Sequence, residues 1–86
     1  MNLLIIANGV SDYDSWRQVF DEDSPDRDKF STSMVAGPID DNQVAIVAYG
    51  VDMEGMAAFM GAPKFEERTS SVQGGVTIYE ISELTP

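Results

Sequence analysis

The chain has no cysteine and no histidine. Without cysteine there is no disulfide or thiolate metal site to brace a small fold, and the redox setting cannot be read from thiols. Without histidine there is no imidazole acid–base chemistry, no histidine-rich metal centre and no histidine ligand for haem. Basic residues are scarce. Five Lys and Arg stand against 15 Asp and Glu, for a net charge of −10. Such a polyanion repels nucleic-acid backbones and anionic membrane surfaces, so neither is an expected partner. No apolar run approaches the roughly 20 residues that span a bilayer. The N-terminal run lacks a basic flank and is too short for a signal sequence, so it reads as a strand and a cytoplasmic protein is expected.

Residues 1–86 are expected to form one domain with a thin core, since a chain this short buries only about 60–65% of its unfolded surface. Its hydrophobic fraction, 43%, is ordinary for a folded protein. Oligomerisation is the remaining common support for a domain of this size.

The stretch from Ser11 to Phe30 organises the chain. Ser11 is the expected N-cap, with Asp14 placed to complement the helix dipole. Tyr13, Trp16, Val19 and Phe20 recur at helical spacing and share a face, while Arg17, Gln18 and Asp21 fall outside it. Ser24-Pro25 repeats the helix-start signal, which predicts a break near Ser24 and a short second segment. The aromatic face reads first as core; the alternative is that Tyr13 and Trp16 line a ligand pocket.

Before it, residues 3–7 (Leu-Leu-Ile-Ile-Ala) form a continuous apolar run, the pattern of a strand covered on both faces. After it, residues 31–36 are strand-prone, and Gly37-Pro38 marks an edge, a bulge or a strand end. Asp40-Asp41-Asn42 is a turn, and residues 43–49 form a second strand apolar on both faces. Asp52 caps a helix with the stripe Met53, Met56, Ala57, Met60, flanked by Phe59; Pro63 opens a further short helix. Gly74-Gly75 turns the chain into a last strand at 76–81. Residues 82–86 read as a frayed tail or an arm held by a partner.

The order is βαββαβ. Ala7-Asn8-Gly9-Val10 is echoed by Ala48-Tyr49-Gly50-Val51, each ahead of a capped and Pro-interrupted helical segment. That agrees with an α+β, ferredoxin-like, two-layer sandwich. Its helices cover one sheet face. The other face is also apolar, and a second copy is its simplest cover, which predicts a homodimer through the open sheet face.

Asp12-Tyr13-Asp14-Ser15-Trp16 with Val19-Phe20-Asp21 and Arg27 resembles the first helix of the dimeric α/β-barrel proteins, the group that includes antibiotic-biosynthesis-type monooxygenases. Residues 51–60 followed by Ala62-Pro63 resemble their second helix, and residues 76–81 their last strand. The resemblance runs through nearly the whole chain in order and spacing. It implies a dimeric α/β barrel with a pocket between sheet and helices in each subunit. Family activities range from cofactor-free oxygenation of activated aromatics to haem degradation and lactone isomerisation, so fold says little about chemistry. The missing histidine argues against the haem branch.

A cofactor-free oxygenase needs a dry pocket and a few polar groups. The ligand-binding candidates are Asn8, Tyr13, Trp16, Tyr49, Met56, Met60 and Tyr79, with Arg17 or Arg27 available for an acidic substrate group. Each also has a plain structural reading: tyrosine rings packed with hydroxyls in water, Asn8 closing a strand end, methionines in the core, arginines paired with surface carboxylates. The acidic runs 21–28 and 40–42 lack the spacing of a calcium loop and read as solvated surface, so no metal is expected. No cofactor is expected either. Nothing in the chain requires catalysis. The sequence alone therefore leans slightly towards a non-catalytic small-molecule-binding or interaction dimer, with a cofactor-free monooxygenase-like or isomerase-like enzyme for a small aromatic substrate as the alternative.

Overall fold

A computed structural model describes residues 1–82. Eight elements follow one another: β1 (Asn2–Asn8), α1 (Tyr13–Glu22), α2 (Ser24–Arg27), β2 (Ser33–Asp40), β3 (Gln43–Tyr49), α3 (Met53–Met60), α4 (Pro63–Thr69) and β4 (Gly75–Ile81). The strands form one sheet in the order β2-β3-β1-β4, with every neighbouring pair antiparallel. This is the ferredoxin-like α+β sandwich that the element order implies. Each half contributes one strand to the centre and one to an edge.

The two central strands show why their sequences are apolar throughout. Leu3, Ile5 and Ala7 of β1 and Val44, Ile46 and Ala48 of β3 are buried on the helix side. Leu4 and Ile6, paired with Val47 and Ala45, lie on the opposite, open face and are half-buried. Val35 and Tyr79 on the same face are 62% and 52% exposed. The open face is thus an apolar surface, not a polar one.

The repeated Ala-x-Gly-Val element has a physical basis. Gly9 and Gly50 both end a central strand in the left-handed region, at φ 64° and 57°, where a side chain is strained. A Cβ on Gly50 would also stand 2.6 Å from the Thr32 hydroxyl. Each glycine turns the chain off the sheet and drops the following Val10 or Val51 into the core.

Two local readings change. The N-cap of α1 is Asp12, not Ser11: its carboxylate accepts from the Ser15 N–H at 3.0 Å and the Ser15 hydroxyl at 2.7 Å. Those bonds hold the Asp12 carboxyl below the usual range. The strand-prone stretch at residues 31–36 extends to Asp40, so of the readings open at Gly37-Pro38 the edge and the bulge hold and the strand end does not. Pro38 is tolerated because β2 is an edge strand whose register shifts between Pro38 and Asp40. The tail reading falls largely outside the described residues. Among those residues, no helix is long and apolar enough to cross a membrane.

Candidate functional site

Between the helices and the sheet lies a cavity of about 70 Å³, several times the roughly 10–15 Å³ that one water requires. Its floor is Ile5, Ile46, Met34 and Val76 from the sheet. One wall comes from the first helical pair. Trp16 and Phe20 stack with centroids 4.9 Å apart, Tyr13 stacks behind Trp16 at 6.1 Å, and the Arg27 guanidinium sits 3.5 Å from the Phe20 centroid. The opposite wall comes from the second pair, where Phe59 meets Phe65 edge-on at 5.2 Å, and from Phe30 in the turn after α2, which packs on Phe59 at 5.4 Å. Met56 and Met60 complete it. The lining contains all four phenylalanines of the chain and its only tryptophan.

Few polar groups enter this lining. The Trp16 indole N–H donates to Gln73 Oε1 at 2.8 Å, which pins the ring. Asp23, at the junction of α1 and α2, is buried and paired with Arg68 of α4 at 2.6 Å. Burial pushes its carboxyl above the usual range, and the Arg68 charge only partly offsets that. Arg27 donates from Nη2 to the Phe20 carbonyl at 2.8 Å, and its Nη1 lies 3.7 Å from Met34 Sδ. Its Nε is buried and unpartnered among the described residues. Desolvation lowers its pKa.

Of the residues singled out in the sequence, Trp16, Met56 and Met60 line the cavity. Tyr13 backs Trp16 without lining it, and its hydroxyl lies 3.5 Å from Arg17 Nη1. Asn8, Tyr49 and Tyr79 lie on the open face of the sheet, away from the cavity. There Asn8 accepts from Gln43 at 2.8 Å and donates to the Thr77 hydroxyl at 3.3 Å. Arg17 reaches the Ala36 carbonyl and Asp21 instead. Only Arg27 of the two arginines lines the cavity.

Sequence reasoning missed Asp23. It belongs to the acidic run read as solvated surface, and that reading holds for Asp21 and Glu22 but not for Asp23. A signal was present. Residues 16, 20, 23 and 27 share helical spacing, so Asp23 and Arg27 continue the aromatic stripe across the break. Among the described residues no group of three or more carboxylates gathers in a metal-holding arrangement.

No protein-family model matches the chain, and no curated protein matches it in sequence. Solved structures do. Two crystal structures of SnoaB, a cofactor-independent oxygenase from Streptomyces nogalater, share the fold at TM-scores of 0.64 and 0.62. Each is 10% identical, covers 99% of this chain, and is itself covered over 95% and 94% of its length. The ferredoxin-like α+β fold read from the sequence is therefore the fold these structures share, and at 10% identity the likeness is one of fold.

Proposed function

We propose that this chain is a homodimeric, cofactor-independent enzyme that oxygenates a small activated aromatic compound held between its helices and sheet. The observation that carries the reading is the segregation of aromatics: Trp16 and every phenylalanine line one cavity, while the three tyrosines do not. A core needs only apolar volume. Rings gathered in two facing walls around free space also match a flat aromatic ligand. The shared fold with a cofactor-independent oxygenase adds support.

In this reading the ligand ring lies against the Phe59 side of the cavity, opposite the stack of Trp16, Phe20 and Arg27, with Trp16 fixed by Gln73. Ionised Asp23 takes the proton that activates the substrate; its raised pKa makes it a stronger base than a surface carboxylate. The resulting carbanion or phenolate transfers an electron to dioxygen, and the two radicals join through a carbon–oxygen bond. The peroxide then loses water. In sum a ring CH₂ and O₂ give C=O and H₂O. The substrate supplies the electrons, and Asp23 returns its proton to the departing oxygen. The apolar lining excludes water from the intermediates.

The dimer forms through the open sheet face, where Leu4, Ile6, Ala45 and Val47 are flanked by exposed Val35 and Tyr79. The test is an oxygen electrode with dihydroxyanthrones and smaller dihydroxyaromatics. Protein-dependent uptake of one O₂ per product is expected, falling about 10²–10⁴-fold in Asp23→Asn. Binding without uptake would make this a non-catalytic ligand-binding dimer.

A further inference from the structure

We propose that Arg27 makes the cavity selective for a compact aromatic oxyanion, held by charge at one end and by ring stacking along the rest. This deepens the cavity reading above and rests on it. The chain carries 15 carboxylate side chains against five basic ones. Arg17 pairs with Asp21, Lys29 with Asp26, and Arg68 with Glu22 and Asp23. Among the described residues Arg27 and Lys64 make no ion pair, and of the two only Arg27 lines this cavity.

A guanidinium has five N–H donors. One of those on Arg27 reaches the Phe20 carbonyl, one faces a thioether, which is a weak acceptor, and the Nε–H is buried with none. Holding a cation against apolar rings without an anion is costly, and native interiors rarely leave such a donor idle. Stacking on Phe20 recovers part of that cost. A ligand oxyanion would recover more, through a charge-assisted hydrogen bond in a dry site. The other charged group of the lining, Asp23, is paired with Arg68 at 2.6 Å, so Arg27 is the charged group of the lining without an ion-pair partner.

The oxyanion could be a carboxylate or a phenolate, and the two are separable. Titration calorimetry at low salt compares 4-methylbenzoate with 4-methylbenzyl alcohol, a neutral ring of the same size. The ionisation of 4-nitrophenol, read by its visible absorbance, is compared free and bound. The benzoate should bind at least tenfold tighter than the alcohol, or the bound phenol should ionise at least one pH unit lower. The first result assigns a carboxylate, the second a phenolate. Arg27→Gln should abolish either preference, read as the ratio of the two affinities, and Arg27→Lys should keep part of it. The wild-type comparison decides even if Arg27→Gln does not fold. If the alcohol binds as tightly as the benzoate and 4-nitrophenol binds neutral, the oxyanion assignment is overturned and the cavity reading stands. If no ring binds at all, both fall.

Discussion

Asp23 places a carboxylate in the wall it shares with Trp16, Phe20 and Arg27, and this gives it a pH signature. Its pKa is raised by desolvation, so the folded protein binds this proton more readily than the unfolded chain does. Ionised Asp23 therefore costs stability above its folded pKa. That cost fades as pH falls from there into the ordinary carboxylate range. Asp23→Asn should be more stable than wild type at pH 7, by up to about 1 kcal/mol, because Arg68 retains Glu22 as a partner. The advantage should shrink as pH falls to 4, measured by thermal denaturation of both proteins in parallel. A variant less stable at pH 7 would mean that the Arg68 pairing outweighs burial. Trp16, Met56 and Met60 could be read in advance because helical period marks an inward face. Asp23 could not be read so easily. Its neighbours Asp21 and Glu22 are exposed, and only the position of the helix break decides which of the three turns inward.

The elements were legible wherever the local chemistry was unambiguous. The bounds of β3, and α3 with its Asp52 cap, follow from an apolar run between turn signals and from a capping residue ahead of a stripe. The cap of α1 was harder, since Ser11 and Asp12 are both good caps and only backbone geometry selects between them. Asp12→Ala should therefore lower the melting temperature measurably while Ser11→Ala should not. Asp52 accepts from the Glu54 N–H at 3.2 Å, and Asp52→Ala should cost about 1 kcal/mol in urea denaturation. The end of β2 stayed open between an edge, a bulge and a strand end, because Pro38 stops a central strand but not an edge strand, and sequence alone does not say which β2 is. Gly50→Ala, at a left-handed turn with Thr32 in the way, should cost about 1–2 kcal/mol by the same measurement. An unchanged stability there would mean that the turn relaxes without strain.

At the scale of the whole molecule, the sequence pattern made both sheet faces apolar while the helices cover only one. The open face lets the proposed dimer be tested without reference to activity. Sedimentation equilibrium should give twice the 9.4 kDa chain mass. Val47→Asp, at the centre of the open face, should give monomers with unchanged helical circular dichroism. Since each copy carries a charge of −10, added salt should tighten the association by screening. A wild-type monomer at high micromolar concentration would contradict the dimer and leave the cavity reading untouched. The measurement that bears most directly on the central claim is isotope incorporation. Product formed from a dihydroxynaphthalene or a smaller dihydroxyaromatic under ¹⁸O₂ is analysed by mass spectrometry, for the wild type and for Met60→Trp, which fills the cavity. The account predicts one ¹⁸O atom per product molecule from the wild type and loss of turnover in the folded Met60→Trp variant. Unlabelled product, or equal turnover in the filled variant, would contradict it.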